Sequence, residues 1–377
     1  MSKEKVLILA SVASMIDQFN MSNIDILLSL GYEVHVACNF EQGSTCTKEK
    51  IDQLKNRLEE LNVKYYQIDF TRSVYNILQD IKAYKQVKKI MIENKYKFIH
   101  CHSPIGGVIG RLICKKTKTK CIYTAHGFHF YKGAPIQNWI IFYPIEKWLS
   151  RYTDILITIN KEDYNRAKDN FYMKRLEYIP GVGIDINYIE SINIDKGQLK
   201  QDLEIPKNNK VIISVGELSK RKNHEIVIKA LQNKKNVTYI ICGQGNLKEY
   251  LNNLAKECNV DLRLLGFRND RLELMKMSDI FAFPSLQEGL PVALMEALAT
   301  GIPCVASNIR GNNDLIENGI NGFLFNPCDI KEIASSIDKL YTSISLRLQI
   351  RKRNIDKIKS YDIHVIQKLM KTIYERV

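Results

Sequence analysis

Two carboxylates, Glu288 and Glu296, stand eight residues apart in the segment 285–297, SLQEGLPVALMEA. The segment follows an apolar run, 280–284, that reads as a buried strand. Pro291 suits the first turn of a helix, where its missing N–H would be unpaired in any case. Gly289, Leu290, Pro291 and Val292 then form the mouth of a helix N-terminus, whose outward amides are a ready site for a diphosphate. Eight helical residues span ~12 Å, enough for the two glutamates to bracket a nucleotide sugar. A carboxylate cannot favourably face a diphosphate. Each is therefore expected to accept hydroxyl hydrogen bonds, one from the sugar and one from the ribose. A loop glutamate plus a helix-surface glutamate is the plainer alternative. The apolar residues around both weigh against it.

Three further clusters lie at strand ends. Segment 214–224, SVGELSKRKNH, carries Gly216 and the cations Lys220, Arg221 and Lys222. Such a cluster can neutralise a leaving diphosphate, although alone it reads equally as a basic surface loop. Segment 124–132, TAHGFHFYK, puts His126 just past a strand; a polar core histidine is the alternative. His100 and His102 precede Ser103 and share one face of a strand by period two. With His126 and His129 they would make a metal site only if carboxylates accompanied them. None does, and no Asp-x-Asp occurs in the chain. The run Cys242-Gly243-Gln-Gly-Asn holds part of a dinucleotide fingerprint at a strand end.

The elements that position these residues alternate. Short apolar runs at 5–10, 33–38, 65–68, 98–101, 121–124 and 155–159 read as strands. Helical patterns at 17–30 (ending before Gly31), 74–94, 106–114 and 138–150 lie between them. A Gly- and Pro-punctuated stretch, 180–206, reads as an irregular passage between domains. The alternation restarts with strands at 210–215, 237–242, 263–265, 280–284 and 304–306, and helices at 224–232, 247–258 and 292–299. Near-continuous apolar strands alternating with helices predict parallel sheets covered on both faces, in an α/β class. Active sites of such sheets lie beyond the carboxyl ends of the strands.

The chain has 377 residues, 45% apolar and 25% charged. That composition excludes a disordered, collagenous or disulfide-stapled chain, and the length suits two domains. The formal net charge is +14. Residues 82–120 hold eleven Lys or Arg and one acid, whereas residues 1–81 sum to −3. A solvated helix face and a basic turn account for such a run; so does an anionic membrane surface or a phosphorylated partner. Residues 128–152 hold eight aromatics and both tryptophans. They read either as a buried helix or as a segment touching a bilayer interface or a lipid-linked acceptor. Nine cysteines without a CxxC suit a reducing cytoplasm. No window is long and apolar enough for a membrane span.

The chain resembles the retaining glycosyltransferases of family 4. The residues that carry the resemblance are QEGLPVALMEALATGIPCVAS around Glu288 and Glu296, RGNNDLIENGINGFLF (310–325), VGELSKRKNH (215–224) and LLGF (264–267). TAHGFHFYKGAP (124–135), TDILITINKEDYNRA (153–167) and IPGVGID (179–185) are similar to the subgroup that builds exopolysaccharide, capsule and lipid-linked oligosaccharide. The resemblance implies a GT-B fold of two Rossmann-like domains facing across a cleft. Residues 1–185 would bind acceptor, 186–360 would bind the nucleotide sugar, and 361–377 would cross back to the first domain.

The resemblance also implies roles. His126, Lys222 and Glu288 would be catalytic, with Glu288 on the donor sugar, Glu296 on the ribose and Lys222 on the diphosphate. Gly216, Arg221, Gly243, Phe267, Arg268, Gly289, Leu290, Pro291 and Val292 would complete the donor site. Where the family often has an arginine, this chain has Glu217, and Arg221 is the candidate substitute. The first loop, residues 11–17, lacks glycine, so Ser14 and Met15, with His102 and Ser103, are expected on the acceptor side. The implied reaction moves a sugar from a UDP-sugar to a polyprenyl-pyrophosphate-linked glycan, with retention and without a metal or other cofactor. The implied partners are the nucleotide-sugar donor, the lipid-linked glycan and an anionic membrane surface, with no nucleic acid. The implied place is the cytoplasm, peripheral on the inner face of the plasma membrane. The motifs do not speak to oligomeric state. The competing expectations are a UDP-sugar 2-epimerase of the same fold, and a non-enzymatic basic nucleic-acid binder that lacks any recognised nucleic-acid motif.

Overall fold

A strand that is apolar along its whole length must be covered on both faces, and the first strand shows how. In β1, Lys5–Val12, Val6 and Ile8 enter one apolar cluster while Leu7 and Leu9 enter another, and all four are fully buried. This period-two division puts helices on either side of the sheet. The computed structural model describes residues 3–42, 47–71 and 76–377, and of Ile77 the backbone alone. Cys46, and residues 74 and 75 of the expected helix 74–94, lie outside the described residues.

The first sheet adds β2 (Glu33–Asn39), β3 (Lys64–Gln67), β4 (Phe98–His102), β5 (Lys120–Ala125), β6 (Ile155–Thr158) and β7 (Arg175–Tyr178). All pairings are parallel, in the order β3-β2-β1-β4-β5-β6-β7. The second sheet holds β8 (Lys210–Val215), β9 (Val237–Cys242), β10 (Asp261–Gly266), β11 (Ile280–Phe283), β12 (Cys304–Ser307) and β13 (Gly322–Phe325). Its order is β10-β9-β8-β11-β12-β13, again parallel throughout. Each sheet reverses its strand order beside its first strand, the point at which doubly wound sheets bind ligands.

The chain divides into one unit of Met1–Val182 with His364–Val377 and another of Gly183–Ile363. In the first unit the helix Ile363–Glu375 contributes Ile366, Met370 and Ile373 to the core. Its Tyr374 hydroxyl meets His100 Nδ1 at 2.7 Å.

Several expected elements differ. The single helix at 17–30 is two, Ala13–Phe19 and Met21–Ser29. Asn20 breaks it at φ −124° and ψ −6°, and its side-chain amide donates to the Met15 carbonyl at 2.9 Å. An asparagine offering its own hydrogen bond competes with the helix ladder. The stretch 180–206 is not irregular throughout. It holds Ile186–Ser191 and Lys196–Asp202, each capped by an aspartate, Asp185 and Asp195. Helices this short carry too few turns for apolar periodicity to register. The helix Lys48–Glu60 and the strands β7 and β13 have no counterpart among the expected elements. Both strands are sheet edges, and β7 is half-exposed along its length. β7 alternates charged with apolar residues and so lacks the continuous apolar run of a central strand, and β13 has only four residues.

Candidate functional site

In the second unit, the loops after β8 and β11 come together. The Leu286 amide donates to the Arg221 carbonyl at 2.8 Å, tying loop to loop. Lys222 closes a short 3-10 turn, Lys220–Lys222, and its Nζ lies 2.6 Å from Glu288 Oε1. Arg221 Nη1 reaches the same oxygen at 3.2 Å and the Gln287 carbonyl at 3.1 Å. Arg310 Nε donates to the Glu288 carbonyl at 3.1 Å. Burial lowers the Lys222 pKa, while the Glu288 carboxylate works against that shift. The lysine stands 4.8 Å over the Phe283 ring. One carboxylate therefore holds two cations at the end of the sheet.

Pro291 is the N-cap of the helix Val292–Thr300, one residue before the first turn where it was expected, and no side chain caps the helix. Its first amides are therefore open to an anion. Glu296, inside this helix, is 7% exposed and accepts two bonds from Arg271, at 2.6 and 3.0 Å. That bidentate pair fixes the carboxylate's direction. Arg271 was not among the sequence candidates, and neither was Arg310. The first is 25 residues from its partner, and a lone arginine carries no spacing signal.

Glycines let the loops pack this closely. A Cβ on Gly243 would sit 1.8 Å from the Gly216 carbonyl oxygen, and one on Gly311, at φ +81°, 2.2 Å from that of Gly289. Gly243 also donates to Gly266 at 2.7 Å. Phe267 follows, 60% exposed. Arg268 is engaged by Asp270 through two bonds, at 2.7 and 2.5 Å. Glu217, in the position where a family arginine was expected, offers its carbonyl to His224 Nε2 at 3.2 Å.

In the first unit, His126 follows β5, and its Nε2 lies 3.1 Å from His102 Nδ1. His102 Nε2 is buried and has no hydrogen-bond partner. If His102 Nδ1–H is the donor, only a lone pair is orphaned there instead of an N–H. His126 then keeps its proton on Nδ1 as a neutral donor. Phe19 packs edge-on against His126 at 5.5 Å. His100 uses both nitrogens, one on Tyr374 and one on Thr124 at 2.8 Å. Ser103 bonds Ser11 at 2.6 Å between hydroxyls. Ser14 is buried and Met15 half-buried in the first turn of Ala13–Phe19. Among the described residues, no group of three or more His, Cys, Asp or Glu side chains is placed to hold a metal ion.

Burial pushes the pKa of His100 down to about 3 and that of His126 to about 4, and holds His102 well below its ordinary value. All three are neutral near pH 7. A base whose folded pKa is depressed stabilises the fold above its unfolded pKa and loses that contribution as pH falls. The window runs from about pH 6.5 downward. His100 alone is expected to cost about 1.6 kcal/mol between pH 6.5 and 5. Both tryptophans lie in the first unit, so urea unfolding followed by tryptophan fluorescence reads it directly. A midpoint independent of pH over that window would contradict the assignment.

The family description "Glycosyl transferases group 1" matches residues 195–357, and "Glycosyl transferase 4-like" matches residues 5–160. EpsD of Bacillus subtilis (strain 168), whose name marks it as a candidate glycosyltransferase, is 32% identical over 90% of this chain and 87% of its own length. The Escherichia coli UDP-Gal:alpha-D-GlcNAc-diphosphoundecaprenol alpha-1,3-galactosyltransferase is 30% identical over 77% of this chain and 81% of its own. The crystal structure of Anabaena HepE in complex with UDP superposes with a TM-score of 0.80 at 21% identity, covering 99% of this chain and 100% of that one. With two doubly wound parallel sheets and relatives at this level of identity, the chain belongs to the group 1 (family 4) glycosyltransferases of GT-B fold.

Proposed function

We propose that this glycosyltransferase moves a sugar from a UDP-sugar to a glycan carried on a polyprenyl diphosphate, with retention and without a metal, at an anionic membrane face. The observation that carries the donor half is the pairing of Lys222 and Arg221 with Glu288, beside the uncapped N-terminus of Val292–Thr300. Departure of UDP leaves negative charge on the diphosphate and an oxocarbenium-like sugar. Lys222, Arg221 and the helix amides stabilise the leaving charge. Glu288 accepts the donor sugar's hydroxyls, and Glu296, aimed by Arg271, accepts those of the ribose. Gly216 and Gly243 let the two loops and the Lys222 side chain pack together at the donor site, and Phe267 and Arg268 flank the nucleotide. The phosphate that leaves assists attack from the same face. His126 donates a hydrogen bond as a neutral imidazole. Ser14, Met15, His102 and Ser103 belong to the acceptor side, in the first unit.

The acceptor half is supported by the Escherichia coli relative, named for its action on a diphosphoundecaprenol-linked sugar. The surplus of cations in residues 82–120 suits a diphosphate and an anionic surface. Among the described residues no helix is long and apolar enough to cross a membrane. The test is a panel of UDP-sugars offered with a polyprenyl-diphosphate-linked N-acetylhexosamine in the presence of EDTA. Transfer from at least one donor, giving a product with the anomeric configuration of that donor by NMR, is the expected result. Inversion, or activity lost in EDTA and restored by Mg²⁺, overturns the mechanism as stated.

A further inference from the structure

The first unit holds an apolar cavity of about 400 Å³ that the donor chemistry does not use. It lies at the carboxyl ends of β4 and β5. The helix Pro104–Thr117 lines it with Ile105, Val108 and Ile109, and the helix Ile136–Leu149 with Ile141 and Ile145. The loop after β5 closes it with Phe128 and Phe130. That same loop carries His126, one residue before Gly127, which also lines the cavity. An apolar chamber thus adjoins the histidine expected at the transfer site.

The acidic groups in its wall select against an anionic occupant. Asp80 and Glu146 are both acidic. Glu146 is already paired with Arg111 Nη1 at 2.7 Å, deep in the unit. An anionic head would find no lysine or arginine in this wall and would face the Asp80 carboxyl, whereas a neutral hydrocarbon gains by leaving water.

The surface around the cavity has the make-up of a bilayer interface. The helix Ile136–Leu149 exposes Ile136, Ile140, Ile141, Ile145 and Trp148, between 42% and 71% of each residue. Such large apolar side chains on one helix are costly in water. Cations and aromatic rings edge them. Lys115 Nζ stands 4.2 Å over Tyr152 and 5.7 Å over Trp148, and Arg151 4.8 Å over Tyr172. Amphipathic rings beside basic side chains are what the headgroup level of an anionic membrane accommodates.

We infer that this cavity takes the head-proximal isoprene units of a polyprenyl diphosphate-linked acceptor, leaving the diphosphate outside at the loop that carries His126. The inference rests on the lipid-linked acceptor proposed above and specifies where its chain is held. The exposed isoleucines and Trp148 bring the helix into the membrane interface, from which the chain enters.

The test uses the full chain and farnesyl diphosphate. The two tryptophans, Trp139 and Trp148, both lie on the helix that walls the cavity, so their fluorescence reports binding without any transfer. Farnesyl diphosphate is expected to give a saturable change and inorganic diphosphate none. Val108→Phe fills the cavity from a half-buried position, and Ile141→Glu puts a charge at its wall from an exposed one. Each is expected to weaken farnesyl diphosphate at least ~10-fold while leaving UDP affinity and the urea midpoint unchanged. Affinity for farnesyl diphosphate unaltered in both variants, or a full signal from inorganic diphosphate alone, overturns the inference. So does a response confined to phosphatidylglycerol vesicles. If the variants transfer to a lipid-linked acceptor with wild-type KM, the cavity assignment fails and the acceptor reading stands. If farnesyl diphosphate binds but no lipid-linked acceptor is glycosylated, the acceptor reading is the one that fails.

Discussion

Glu288→Gln is expected to lower kcat/KM for sugar transfer by about a thousandfold. The amide keeps the side chain's size and can still meet a hydroxyl. It cannot hold Lys222 and Arg221 at 2.6 and 3.2 Å from one oxygen. Lys222, with only 12% of its side chain exposed, then loses the carboxylate that pairs with it, so it turns away from the phosphate position or surrenders its proton. Lys222→Ala is expected to reach a similar loss from the other side, by removing the cation that faces the leaving group. Because the two act as one unit, the double variant is expected to fall within ~10-fold of either single one. Steady-state transfer from a radiolabelled UDP-sugar measures all three. Single variants within about fivefold of wild type, or strictly multiplicative losses, would remove this pair from the reaction.

Arg271→Ala should act differently, through donor binding. Glu296 is 7% exposed, and Arg271 supplies two bonds to it. Without the guanidinium, a nearly buried carboxylate loses its partner, at a cost on the order of 2 kcal/mol for a pair whose arginine is partly in water. The carboxylate then loses the direction in which it would accept ribose hydroxyls. The expected result is a donor KM raised ~10- to 50-fold with kcat within about threefold of wild type. Arg271→Lys should recover little, because a lysine cannot reproduce the bidentate fork. A variant in which kcat falls and KM holds would place Arg271 in the chemical step instead of in binding the ribose.

What could be read from the sequence follows from how each feature is encoded. Glu288, Lys222 and His126 all stand just past central strands, whose unbroken apolar runs announce themselves and point to where a loop must begin. Arg271 acts on Glu296 and Arg310 on Glu288 through tertiary contacts that no local spacing records. β7 alternates charged with apolar residues, and β13 is only four residues long, so neither carries the long apolar run that marks a strand. The break at Asn20 depends on one side-chain bond to Met15 overriding a continuous helical pattern. Composition located the cations of residues 82–120, but it did not separate a solvated face from a working one. Burial divides the aromatic segment. Phe128 and Phe130 are core, while Ile136, Ile140 and Trp148 are surface.

The bond between His100 and Tyr374 joins residues 274 positions apart, and it orders events during synthesis. All of Gly183–Ile363 must be made between the strand that carries His100 and the helix that closes over it. At roughly 5–20 residues per second, those residues occupy the ribosome for roughly ten to forty seconds. During that time the first unit has its sheet but lacks the apolar face supplied by Ile366, Met370 and Ile373. Of these two units, the one translated earlier is therefore finished later, and its neutral histidine cluster takes its final form only after the unit that holds the donor-site residues has been made.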